Sequence, residues 1–218
     1  MDVKKNFSIL LLLFGSFIYS EVNDSKILLQ YGVLHRSYKN DDFQSIESGA
    51  SVYDNDEIRI NVQFADSLAC YIIYQDPEDN VILLYNSEES VDSDSTSLFF
   101  GTTGTQMFFP PSGEETIYLL LSKNPLNKLE KIIRDLNNSS GMRAKKFFKR
   151  FLLEIEKISK PGKKISNISA RLDKPVVGGV SFRGDDDDIT LYSLTHEAVG
   201  VDLILKTLTL NHLSLNKE

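Results

Sequence analysis

The sequence predicts a mostly-β chain, an antiparallel β-sandwich with an inserted helical hairpin, α+β overall. Three observations carry this. Between residues 27 and 122, short apolar segments are separated by turn chemistry. From 126 to 159 the apolar spacing lengthens to that of a helix. After 176 the strand patterns return. Three short strands bury little by themselves, so the late strands are expected to rejoin the first sheet. The expected organisation is a signal peptide at 1–20 and one β-rich domain at 21–218, with the helical insertion at about 126–159.

Each element has a local reason. Ile27–Arg36 is the first strand, and Ser51–Tyr53 a short second one. Glu57–Phe64 alternates, with Ile58, Ile60, Val62 and Phe64 on one face and Arg59, Asn61 and Gln63 on the other. Leu68–Gln75 and Val81–Tyr85 flank Asp76-Pro77-Glu78-Asp79-Asn80, which predicts a hairpin. Asn86–Ser97 is polar and acidic and reads as a loop. Leu98-Phe99-Phe100 and Gln106–Phe109 are short apolar pieces around glycines. Pro110-Pro111-Ser112-Gly113 predicts a turn into the strand Thr116–Ser122.

Leu126, Leu129, Ile132, Ile133 and Leu136 then recur at helical spacing. Asn137-Asn138-Ser139-Ser140-Gly141 breaks the pattern. A second helix runs from about Met142 to Ser159, with the stripe Phe147, Phe148, Phe151, Leu152, Ile155 and Ile158, and Lys160-Pro161-Gly162 stops it. Strands are expected at Val176–Phe182 and Ile189–Leu194 around the charged turn Asp185–Asp188. Val201–Leu213 is apolar on parts of both faces, which places it centrally in a sheet.

Composition narrows the function. The chain has 218 residues and a formal net charge of −7. An acidic whole argues against a dedicated nucleic-acid binder, so no nucleic acid is expected as a partner. The single cysteine, Cys70, excludes an internal disulfide and a cysteine-based zinc site. Its apolar strand, with no histidine near in sequence, predicts a buried small hydrophobe. Lys4 and Lys5, the apolar run Phe7–Ile18 and the small Ser20 form a secretory signal pattern, with cleavage expected between Ser20 and Glu21. The expected location is therefore extracytoplasmic, periplasmic or secreted.

No catalytic residue, metal ligand or cofactor is expected. His196-Glu197-Ala198-Val199-Gly200 opens like a zinc-protease motif, but the second histidine that would complete it is replaced by Gly200. His35, His196 and His212 are dispersed. Asp185–Asp188 offers four consecutive carboxylates, whose side chains diverge on an extended chain, so a solvated turn is expected instead of a calcium site. Asp54 and Asp56 have acid and base chemistry but nothing in sequence that gives them a pocket. A Gly-x-Ser-x-Gly elbow and a phosphate-binding Gly-rich loop are both missing.

Gly49, the run Val52–Val62, Cys70-Tyr71-Ile72-Ile73-Tyr74-Gln75-Asp76 and Asn80-Val81-Ile82-Leu83-Leu84-Tyr85 form one pattern. It continues through Phe109-Pro110-Pro111-Ser112-Gly113-Glu114-Glu115 and Ile117–Pro125. Over roughly 45–125, and more weakly 176–213, this resembles the bacterial domain-of-unknown-function 4384 family. Asn55-Asp56 stands where that family usually has Gly-Asp. Members are often exported or appended to signalling and peptidase-like modules. The resemblance implies a small β-sandwich and supplies no catalytic residue to carry over.

The strongest functional signal is charge segregation. Residues 41–122 hold 16 acidic residues and one basic residue, Arg59, whereas 123–174 hold 15 basic and 5 acidic residues. Arg143, Lys145, Lys146, Lys149 and Arg150 form a candidate basic interaction surface beside Phe147, Phe148 and Phe151. The expected function is an exported, non-enzymatic protein-interaction or scaffold module of the cell envelope, with another envelope protein as partner. The alternatives are a peripheral protein that lays this basic helix on an anionic membrane surface, or an enzyme whose site the sequence does not display.

Overall fold

The computed structural model describes residues 26–40, 42–64, 67–87, 97–100, 106–108, 110–160, 168–177 and 193–215. Among the described residues nine strands come first: β1 (Ile27–Arg36), β2 (Gln44–Ser45), β3 (Ser51–Tyr53), β4 (Glu57–Gln63), β5 (Ala69–Gln75), β6 (Val81–Asn86), β7 (Ser97–Phe100), β8 (Gln106–Met107) and β9 (Gly113–Ser122). Helices α1 (Asn127–Asn137) and α2 (Gly141–Ser159) follow, and then β10 (Ile168–Val177), β11 (Ser193–Gly200) and β12 (Leu203–Leu213).

The strands form two sheets. The first has the order β10-β11-β1-β4-β7, with β2 also paired to β1 and β8 to β4. The second has the order β3-β12-β9-β5-β6. The late strands therefore do rejoin the early ones, and β12 is central as its two apolar faces required. All pairings are antiparallel among the described residues except β3 with β12, which is parallel.

Alternation along the strands builds the space between the sheets. Leu29 and Val33 of β1, and Ile58, Ile60 and Val62 of β4, meet Val52, Ile72, Ile117, Leu121, Ile204 and Leu210 from the second sheet. Each fully buried side chain of this size contributes roughly 1.5–3 kcal/mol of hydrophobic stabilisation.

A second apolar layer lies on the opposite face of the second sheet. Tyr71, Ile73, Tyr118, Leu120 and Leu205 pack there against Leu129, Ile132, Ile133, Leu136, Phe147, Phe151 and Ile155 of the helices. Sheet strands buried on both faces lose alternation and become continuously apolar. That is why β5 reads Ala-Cys-Tyr-Ile-Ile and β9 reads Ile-Tyr-Leu-Leu-Leu. The architecture is thus three layers: sheet, sheet and helical hairpin.

Buried polar groups fix the joints. Tyr71 is fully buried, and its hydroxyl donates to Glu130 Oε1 at 2.8 Å while accepting the Leu126 N–H at 2.9 Å. This ties the start of α1 to β5, where no side chain caps the helix. In the β5–β6 turn the Asp76 carboxylate accepts the Glu78 and Asn80 N–H groups at 2.8 and 2.9 Å. Asp79 takes φ 66° there, a conformation short polar side chains tolerate. At the β11–β12 turn a side chain on Gly200 would come within 2.7 Å of Ile204 Cγ1 and 2.8 Å of Leu203 O. Only glycine fits that approach.

Two strand boundaries need correction. Residues 168–175 form most of β10, ahead of the strand expected from Val176. β10 is an edge strand, where proline is tolerated, and its pairing with β11 is irregular between Arg171 and Val176. Residues 193–200 form β11, where His196 and Glu197 obscured the apolar alternation. Residues 178–182, the Asp185–Asp188 turn and 189–192 lie outside the described residues.

Candidate functional site

The five basic residues of the sequence prediction all lie on α2, and all are exposed. The helix itself is positioned by its apolar stripe. Phe147 and Ile155 are buried, Phe151 is fully buried, and Phe148 and Ile158 pack against the same cluster. Phe151 meets the Tyr118 ring edge-on, with centroids 5.6 Å apart and planes at 82°. Leu152, which the periodicity assigned to this stripe, is instead 41% exposed. It sits at the stripe's margin, about 100° around the helix from Phe151.

Docking this stripe forces the opposite face outward. Residues 142, 145, 146, 149 and 153 recur at helical spacing, so Met142, Lys145, Lys146, Lys149 and Leu153 share the solvent side. Met142 is 89% and Leu153 45% exposed. Arg143 and Arg150 lie at the flank, with their guanidinium carbons 5.8 and 5.3 Å from the Phe147 ring centre. They cover the edge of the buried stripe while keeping their charge in water.

The ion pairs of the helical hairpin are made by other residues. Lys128 and Lys157 meet Glu154, and Lys160 meets Glu156 at 2.9 Å. Among the described residues, none of the five basic side chains pairs with an acid of the 41–122 segment. The charge segregation is therefore not cancelled there by contact between helix and sheet.

Asp54 and Asp56 point into separate networks. Asp56 is buried and accepts the Tyr53 and Tyr38 N–H groups at 2.9 and 3.0 Å, with His35 Nε2 at 2.7 Å. Asp54 Oδ1 lies 2.9 Å from His212 Nε2, and Asp54 Oδ2 accepts the Leu215 N–H at 3.0 Å. The other ring nitrogen of the buried His212 lies 2.7 Å from Glu115 Oε1. The Tyr74 hydroxyl donates to the remaining Glu115 oxygen. Burial pushes the Glu115 carboxyl above its ordinary range, against the pull of Tyr74 and His212. Burial, then Glu115, raises the Tyr74 phenol. The network joins β5, β9, β12 and the β3–β4 turn, so its role is to fasten the end of β12.

The other chemistry-bearing residues are dispersed. Cys70 is buried and its thiol is pushed up to about 12 by burial, as the inert reading requires. His196 lies on β11, opposite Tyr31 of β1, with the two rings stacked 5.1 Å apart at 19°. A strand cannot bring residues 196 and 200 to one metal, since four residues span roughly 13 Å. Among the described residues, no group of three His, Cys, Asp or Glu side chains could hold a metal ion. No helix among them is long and apolar enough to cross a membrane.

Sequence reasoning missed the outward apolar residues Met142 and Leu153. Their i, i+3, i+4, i+7 relation to the lysines was legible once the Phe stripe was assigned inward. It also missed Lys206, whose place on the inner face of β12 follows from its position between Ile204 and Leu208.

No family model, curated protein or solved structure matches the chain.

Proposed function

We propose that the chain is an exported, non-enzymatic interaction module of the cell envelope, which docks an acidic protein surface on the solvent face of α2. One observation carries this reading: the five basic side chains of α2 are exposed, and the described residues of the acidic segment do not pair with them. Lys145, Lys146 and Lys149 frame Met142 and Leu153, so the face offers charge for orientation and apolar area for burial. Interfaces are built from both, and an acidic counterpart would gain association rate as well as register. The export part rests on the sequence pattern at 1–20, which lies outside the described residues. The resemblance at 45–125 supports the same setting.

A photo-crosslinking residue in place of Leu153, in the native envelope, tests the docking face. The expected product is a covalent adduct with one protein through an acidic segment. Reversal of Lys145, Lys146 and Lys149 to Glu should remove it. The exposed Met142 and Leu153 also suit a membrane interface. Co-sedimentation with anionic vesicles at low salt, lost on the same reversal, would replace the protein-docking reading with the membrane-surface one. About 1 kcal/mol is available per basic residue near such a surface.

A further inference from the structure

At one place the two sheets part and leave a cleft of about 250 Å³. Alternation decides what faces it. Ile204, Leu208 and Leu210 of β12 belong to the core between the sheets, so Lys206 points inward with them. Leu29 and Val33 of β1 point inward, and Tyr31 lies between them. Ala198 of β11 points inward, and His196 is two residues before it. A phenol, an imidazole and an ammonium therefore converge on a surface that also includes the apolar Val33, Leu119 and Leu208 and the polar Ser48 and Thr207.

Lys206 is the anomaly. Strand positions facing a sandwich core are normally apolar, and a lysine drawn inward normally has a carboxylate. Lys206 is half-buried, and its described surroundings give it no ion pair or hydrogen bond. Burial lowers its pKa, because the charged form loses hydration there. The stacked Tyr31 and His196 rings line the cleft on the facing sheet. Glu47 is exposed and also lines the cleft.

We propose that this cleft binds a small aromatic monocarboxylate, with its carboxylate on Lys206 Nζ and its ring against the Tyr31–His196 stack. The volume holds roughly eight waters at ~30 Å³ each, hence a ligand of about ten non-hydrogen atoms. The site is independent of the α2 face, so either can fail without the other.

Phenylacetate is the probe, titrated into the mature chain by calorimetry and by NMR of the Leu119 and Leu208 methyl groups. A ligand of this size should bind with Kd near or below about 1 mM. Phenylacetamide keeps the shape without the charge and should bind about tenfold or more weaker, as loss of a charge-assisted hydrogen bond requires. Lys206→Met should weaken phenylacetate by at least about tenfold, while Lys206→Arg keeps most of the affinity. Methionine suits this apolar surface, so the fold should survive, and the acid–amide comparison uses the unaltered chain in any case. No binding of phenylacetate by folded protein up to about 10 mM would overturn the proposal. So would equal affinity for acid and amide, or equally tight binding of inorganic phosphate.

Discussion

Phe151 is where the three-layer arrangement is most exposed to test. It has no solvent-accessible surface, and it bridges α2 to the second sheet through the edge of the Tyr118 ring. Tyr118 is itself held, since its hydroxyl donates to Gln75 Oε1 at 2.8 Å. The ring beside Phe151 therefore has little freedom to collapse into a void. A buried Phe removes about 150–250 Å² from water, worth ~4–6 kcal/mol at about 25 cal/mol per Å². Alanine recovers part of that, and the lost edge-on pair adds about 0.5–1.5 kcal/mol. Phe151→Ala should then cost about 3–5 kcal/mol, the usual range for a core Phe. Against a total stability of about 5–15 kcal/mol, that is a large share. Urea unfolding followed by circular dichroism reads it as a lower midpoint at unchanged slope. Leu153→Ala, on the solvent side of the same helix, is the control and should stay within about 0.5 kcal/mol. A loss below about 1 kcal/mol for Phe151→Ala would mean that the stripe is not packed, and would refute the assignment of the two faces of α2.

Two further outcomes are expected. The mature protein recovered from its native host should begin near Glu21, and N-terminal sequencing that returns Met1 would remove the export reading. The Glu115 carboxyl has a raised pKa in the folded state, so folding takes up a proton there. The stability it supplies is complete below the ordinary value of 4.5 and is lost as pH climbs through the raised value. Glu115→Gln keeps a partner for the Tyr74 hydroxyl and should flatten that fall. An unchanged pH profile in the variant, measured by thermal unfolding across the weakly acidic range, would exclude Glu115 as its source.

What the sequence made legible follows from how each element is buried. α1 and α2 have one buried face each, and their stripes gave both helices to within a residue or two. β4 has one face in the core between the sheets, and its alternation named Ile58, Ile60 and Val62 as core. β5 and β9 are covered on both sides, so their runs announced strands without saying that a helical layer covers the second face. β10 and β11 were recognised only in part because their sequences are not uniformly apolar: Pro175 is admitted by the sheet edge, and His196 lines the cleft. The basic face of α2 was visible as charge alone. The cleft was not, because Tyr31, His196 and Lys206 are up to 175 residues apart and only the pairing of β1 with β11 and the stacking of the sheets unite them. The His212 network was hidden for the same reason, with Asp54 separated from it by 158 positions.

The placement of the last two strands has a consequence in time. β11 lies between β10 and β1, and β12 between β3 and β9, so each sheet is missing an interior member until the segment from Ser193 to Leu213 has been made. Gln30 waits 167 residues for Glu197. At a synthesis rate of about 5–20 residues per second, that is on the order of ten seconds or more during which β1 has no β11 beside it. A nascent chain in this state can form the β5–β6 hairpin and the helices, but it cannot lock. If the proposed export reading holds, the same delay would keep the chain threadable through a membrane channel, with closure following once β11 and β12 arrive.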